Sequence, residues 1–360
     1  MRFQSALVML SIARISASAL SFARSSAPPG DALVQTVYQF PNNTWAENLA
    51  PRANGKVLVT LITKPEVWEI DPATHTAELV YEFPNALSAC GIVEYAPNMF
   101  AVNVGNWSTT TFAGAVGSWG VWNLDLQAWD KCDGLRGGVD RRVTVSKIAE
   151  VPEAIFLNGL TSLPRTPTTL MAADSGAGKI YSLDVNSGLY HTAIADAALK
   201  SNASSPFELG VNGINVRPSE PGYIYPVNSL KRPRLVRIPI DPINGGQTRP
   251  VEVIVDDVPF ETNLYGAADD FALDNSGYAW ITSDPTNILW RASLSTGDIK
   301  VIAGSTNSPV VAGLTSCRFG SGEADVRAGR LYIVTNGGMA DPAAAGVVGG
   351  RLISLDTSEL

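Results

Sequence analysis

Apolar and polar positions alternate along this chain in short runs, and the runs recur. Stretches beginning Lys56-Val-Leu-Val-Thr, Met99-Phe-Ala-Val-Asn, Thr169-Leu-Met-Ala-Ala, Gly222-Tyr-Ile-Tyr-Pro, Gly277-Tyr-Ala-Trp-Ile and Arg330-Leu-Tyr-Ile-Val open six copies of one block. Five copies run through a turn into a compact partner strand, as in Val67-Trp-Glu-Ile-Asp71, Ile180-Tyr-Ser-Leu-Asp184 and Arg351-Leu-Ile-Ser-Leu-Asp356. The second has a looser partner, Trp119-Gly-Val-Trp-Asn-Leu-Asp125. Period-two alternation, β-branched residues and turns rich in Gly, Pro, Asn and Asp predict short strands rather than helices. Strand-and-turn units repeated at this spacing predict an all-β, six-bladed β-propeller of four-stranded sheets, with the six opening stretches read as its inner strands.

The ends of the repeat predict how the ring closes. Blades one, three, four and five are followed by an outer strand, such as Thr76–Pro84 or Pro250–Val255, whereas the sixth block reaches Leu360 without one. Near the start, Leu33-Val-Gln-Thr-Val-Tyr-Gln-Phe-Pro41 matches Leu79-Val-Tyr-Glu-Phe-Pro84. Donating that strand to the last blade would leave no unpaired edge. Although 360 residues could hold two or three domains, the repeat leaves no linker, so 33–360 reads as one domain.

Composition removes several functions. The net charge of −8 argues against nucleic acid or an anionic membrane as partner. Residues 1–23 carry Arg2, the apolar stretch Ala6–Ala13 and small residues at Ala17-Ser-Ala19 and Ser21-Phe-Ala23. This is the pattern of a secretory signal peptide, too short for a membrane anchor, and it predicts a secreted protein or one in the secretory pathway. Sequons at Asn42, Asn106 and Asn202 agree with glycosylation on that route. Of three cysteines, Cys90 and Cys132 bracket the second block and predict one disulfide, with Cys317 reduced in the core. The only histidines, His75 and His191, fall in predicted surface turns, so a His-rich zinc site and a Ser-His-Asp triad have no support. No phosphate loop or dinucleotide fingerprint follows a strand, so no nucleotide cofactor is expected.

An oxygen-donor set remains. Glu47 in Trp45-Ala-Glu-Asn-Leu-Ala50, Asn158 in Phe156-Leu-Asn-Gly-Leu160, Asn212 in Val211-Asn-Gly-Ile-Asn215 and Asp269 in Ala268-Asp-Asp-Phe-Ala272 each precede a predicted inner strand. Strands of different blades converge on the channel axis. Two carboxylates and two amides there suit a divalent cation such as calcium, magnesium or manganese. The alternative is that Asn-Gly and Asp-Asp merely form turns.

These motifs, with Asp269-Asp-Phe-Ala-Leu-Asp-Asn-Ser-Gly-Tyr-Ala-Trp280, resemble the gluconolactonase/regucalcin-like six-bladed propellers over roughly 33–360. The resemblance implies that Glu47, Asn158, Asn212 and Asp269 ligate a divalent metal, and that Asp269 is also a catalytic base. One segment departs from the pattern: between Asn103 and Val143 an insertion carries Trp107, Phe112, Trp119, Trp122 and Trp129, as a rim-packed loop or as a substrate lid. The secretion signal, the Glu-Asn-Leu-Ala-x-Arg entry and the Asp-Asp-Phe motif look like the fungal members of secondary-metabolite pathways. Those include hetero-Diels–Alderases that join a tropolone quinone methide to a humulene-type sesquiterpene alcohol.

Such a reaction needs no nucleophile, only two small apolar partners held in register. Glu47, Asn158, Asn212 and Asp269 would form the floor of the site, and Trp107, Phe112, Trp119 and Tyr265 its walls. Lys231, Arg232 and Arg234 read as a solvated basic turn. A metal-dependent lactonase, with Asp269 activating water, and a non-enzymatic binding propeller are the competing readings.

Overall fold

The computed structural model describes residues 30–132, 143–201, 209–232, 234–257, 268–342, 346–358 and 360. The expected signal peptide, Asn202 and Tyr265 lie outside them. Six four-stranded antiparallel sheets form the six blades of a propeller. From the channel outward, blade one is Ala46–Pro51, Val57–Leu61, Glu66–Asp71 and Thr76–Glu82. Blade two is Ser88–Ala96, Met99–Gly105, Gly120–Asp125 and Thr144–Glu150. Blade three is Leu157–Leu163, Thr166–Asp174, Lys179–Asp184 and Tyr190–Ile194. Blade four is Val211–Asn215, Tyr223–Asn228, Leu235–Pro239 and Glu252–Val255. Blade five is Phe271–Leu273, Tyr278–Ser283, Ile288–Ser293 and Ile299–Gly304. Blade six is Leu314–Phe319, Arg330–Thr335 and Arg351–Asp356, completed by Val34–Gln39 from the start of the chain.

The closing strand forms where the pattern places it. Its pairs with the third strand of blade six run from Val34↔Leu355 to Gln39↔Arg351. Val37 and Phe40 are buried, and the Asp31 carboxylate accepts from Gly304 N at 2.6 Å and Ser308 Oγ at 2.7 Å. The same short segment therefore grips blades five and six. Elsewhere the core is made between blade faces. Leu58 and Val67 of blade one pack with Phe100, Val102 and Leu124 of blade two, and Trp280 and Leu289 of blade five with Ile333 and Ile353 of blade six.

The structure keeps four strands in each blade and corrects which of them is innermost. The six repeated stretches are second strands, and a further strand lies inside each. That inner strand escapes the apolar pattern because buried polar residues interrupt it, as Glu47 and Asn48 do between Ala46 and Leu49. Nor is the disulfide present, because Cys90 is a free thiol buried in the inner strand of blade two. Cys132 ends a 3-10 turn (Trp129–Cys132), which is held against blade one by Asp130 on Arg52 and by Trp129 Nε1 on Glu69. Arg52 and Glu69, the anchors of that turn, lie past the far end of the inner strand and near the end of the third strand of blade one, whereas Cys90 enters its own inner strand. Cys317 is a free buried thiol, as expected. His191 sits within the outer strand of blade three rather than in a turn. Arg234 is buried rather than solvated, and its Nη1 donates to Ser229 O at 2.5 Å.

Candidate functional site

A break in register places each site residue. In blade one the ladder slips between Ala46 and Asn48, leaving Glu47 unpaired; in blades three and four it slips across Asn158-Gly159 and Asn212-Gly213. Such bulges turn a side chain out of the pleat, here into the channel. Blade two slips likewise across Cys90-Gly91. In blade five Asp269 precedes the inner strand, with its N–H on Thr282 O at 2.9 Å.

The glycines are needed for close approach. A Cβ on Gly159 would lie 2.4 Å from Asn212 O, and one on Gly213 would lie 2.0 Å from Asp270 Oδ1. The Asn-Gly pairs are therefore not turns but points where neighbouring inner strands nearly touch. Cys90-Gly91 has the same form, and is the member of this ring that sequence reasoning missed.

All four predicted donors line one cavity. Asn212 Nδ2 donates to Asp269 Oδ1 at 2.6 Å and to Ser229 Oγ at 3.0 Å, while Asn212 Oδ1 has no partner among the described residues. Trp45 Nε1 donates to Glu47 Oε2 at 2.7 Å. The lining contains no Lys, Arg or His among the described residues. Arg318, the cation beside the ring, is committed to Asp270 at 3.0 Å; Asp270 also accepts from Asn48 Nδ2 and Ser316 Oγ, tying blades one, five and six together.

Carboxyls so placed hold their protons. Burial pushes Glu47 up to about 8, with Asp284 and Asp270 adding repulsion against the Trp45 hydrogen bond. Burial, then Glu47, Asp284 and Asp270, raise Asp269 well above the usual range, opposed by Asn212. Asp284, a third acid of the cavity that the sequence did not single out, is pushed up to about 7 by burial and Asp341 despite its bond from Asn336.

The oxygen set fits a hard divalent cation. It offers two carboxylates without a cationic neighbour in the cavity and one unpartnered buried amide oxygen. Among the described residues no three His, Cys, Asp or Glu side chains gather as a metal cluster, so the amide oxygens would have to complete the set.

Above the floor the walls are apolar. Trp45, Trp107, Phe112 and Phe156 line the cavity together with Ile62, Leu209, Leu230, Ala268, Pro285 and Ala340, around a space of about 140 Å³. Trp107 stacks on Phe156 at 3.9 Å and Phe112 meets Trp45 edge-on at 6.4 Å. Trp107 and Phe112 thus line the cavity as predicted. Trp119 does not. It is buried behind Phe156, 5.4 Å away, because Gly105 leaves its ring room in the core. Phe156 and Trp45, each two residues before a predicted floor residue, take up the wall instead. Among the sequons, Asn42 is exposed and Asn106 half-buried.

Fold and site together define a six-bladed propeller with an aromatic-walled, acid-floored cavity where its inner strands enter the channel. No protein-family model matches the chain. Over 328 residues it is 26% identical to a Phoma sp protein named "Putative hetero-Diels-Alderase", covering 83% of this chain and 86% of that protein. It is 24% identical over 336 residues to "Putative hetero-Diels-Alderase asR5" of Sarocladium schorii, covering 83% and 78%. Among solved structures, the calcium-binding protein regucalcin of Agrobacterium tumefaciens aligns with a TM-score of 0.58 at 17% identity, covering 89% of this chain and 92% of that one. That structural likeness bears on the fold alone.

Proposed function

We propose that this chain is a fungal biosynthetic enzyme that catalyses an intermolecular hetero-Diels–Alder reaction, joining a tropolone-type quinone methide to a sesquiterpene alcohol. The observation that carries the reading is the cavity: aromatic and aliphatic walls over a floor of proton-holding carboxyls, with no histidine in its lining. The similarity to the two fungal relatives supports it.

A cycloaddition forms its two bonds without a covalent enzyme intermediate, so the protein acts by holding the partners in register. Orientation of this kind supplies about 7–11 kcal/mol of the barrier. The stacked Trp107–Phe156 pair presents a flat surface to a planar ring, and the aliphatic lining residues receive the terpene. Glu47 retains its proton near neutrality and donates a hydrogen bond to a carbonyl oxygen on which negative charge develops. Glu47, Asn158, Asn212 and Asp269 would hold a calcium or magnesium ion, which when bound would supply a Lewis acid at the same place. Passage through the secretory pathway, with glycosylation at Asn42, Asn106 and Asn202, belongs to the same reading; a mass shift on deglycosylation tests it.

The second reading, a metal-dependent lactonase, is favoured by one observation, the gathering of all four oxygen donors at one floor. The deciding experiment incubates purified protein with a sesquiterpene alcohol and a tropolone quinone methide generated in situ, and follows adduct formation by chiral chromatography. The expected result is one adduct stereoisomer, formed faster than in buffer, with Trp107→Ala losing more rate than Asp269→Asn. A racemic adduct formed at the buffer rate, beside a lactone hydrolysis that chelation and Asp269→Asn abolish, would select the lactonase.

A further inference from the structure

A second set of six residues recurs near the floor, one from each blade. Its members are the residues that directly follow each second strand: Ile62, Asn106, Ser175, Ser229, Asp284 and Asn336. Ile62, Ser229 and Asp284 of this set line the cavity. Ser229 already serves the floor by accepting from Asn212. Asp284 repels the floor acids but makes no contact with them described so far. It is the one carboxyl of the six, and it lines the cavity next to Pro285, with Asp341 acting on it from blade six.

Its position is built. Asn336 Nδ2 donates to Asp284 Oδ2 at 2.8 Å. Asn336 is itself held by Gly338 N and Met339 N on its Oδ1, at 2.8 and 3.1 Å, and by its own N–H on Gly313 O at 2.7 Å. Gly313 has φ +65, and a Cβ there would fall 1.7 Å from Asn336 Oδ1. The backbone of blade six thus presses one amide against Asp284 and leaves it little freedom. The other carboxyl oxygen, Oδ1, is buried with no partner among the described residues. A buried, unpaired acceptor costs stability unless something else meets it.

We propose that Asp284 is a polar anchor for the ligand, separate from the floor, which takes the hydroxyl of an otherwise apolar molecule seated between blades five and six. The inference rests on the reading above only in taking that ligand to be an apolar alcohol. Floor and anchor would then fix two different oxygens, which sets the orientation of one reactant relative to the other.

The test uses a matched pair of probes, farnesol and its oxygen-free counterpart farnesene, titrated against tryptophan fluorescence, since Trp45 and Trp107 line the cavity. Asp284→Ala should weaken farnesol about tenfold, the worth of one hydrogen bond to a carboxyl, and leave farnesene unchanged. Asp284→Asn keeps a partner for Asn336 and for the hydroxyl, and should restore most of the farnesol affinity. Equal losses for both probes, no loss for either, or no farnesol binding by the wild type would overturn the proposal. The two readings fail separately. A selective farnesol loss without any cycloaddition keeps the anchor and discards the reaction, and stereospecific cycloaddition with Asp284→Ala binding farnesol normally does the reverse.

Discussion

Replacing Glu47 by Gln tests whether the floor holds its protons. The change is nearly isosteric, and the glutamine oxygen can still accept from Trp45 Nε1, which now lies 2.7 Å from Glu47 Oε2. In the unfolded chain Glu47 loses its proton near 4.5; in the fold it does so at about 8. Between those values the unfolded state binds fewer protons, so stability falls as pH rises through this window and levels off above it. At about 1.4 kcal/mol per pH unit the interval amounts to about 5 kcal/mol, a ceiling for one residue because Glu47 and Asp269 titrate as a pair. Asp269 and Asp284 act with the same sign. Urea unfolding in EDTA should therefore show the wild type losing several kcal/mol between pH 5 and pH 9, and Glu47→Gln losing less, by up to about 4 kcal/mol. Adding calcium or magnesium at pH 8 should return stability to the wild type, whose carboxylates then have a partner, and much less to the variant. A wild type that gains stability from pH 5 to pH 8, or a Glu47→Gln curve that parallels it, would refute the argument.

Phe40→Ala removes a buried ring that packs edge-on against Tyr38 at 5.0 Å and Trp68 at 5.8 Å, so denaturant melts should show a loss of about 3–5 kcal/mol. An unchanged midpoint would mean that the N-terminal strand does not hold the ring closed. Cys90 and Cys317 should resist alkylation in the native protein and both react after unfolding without reductant; a Cys90 that stays blocked until reduced would restore the disulfide.

Much of this protein was legible in the chain because it rests on local pattern. Stretches such as Arg330-Leu-Tyr-Ile-Val are runs of apolar residues because they are second strands buried on both faces, so six copies could be counted directly. The likeness of Leu33–Pro41 to Leu79–Pro84 revealed closure for the same reason: an outer strand meets the same neighbours in every blade. The residue types of the floor were legible too, but not how they reach it. Glu47, Asn158 and Asn212 sit on bulges within strands buried on both sides, where neither alternation nor turn chemistry is informative.

What tertiary structure decided is what depends on residues distant in sequence. Trp119 sits in the core because the space beside Gly105 admits its ring, and Phe156 faces the cavity in its place. Asp284 became a wall residue only because Asn336, in the next blade, holds it there. The retained protons of Glu47 and Asp269 follow from burial beside acids of blades one and five, with a neighbouring cation, Arg318, spent on Asp270. A carboxyl's field is summed over space, and the order of residues along the chain does not contain that sum.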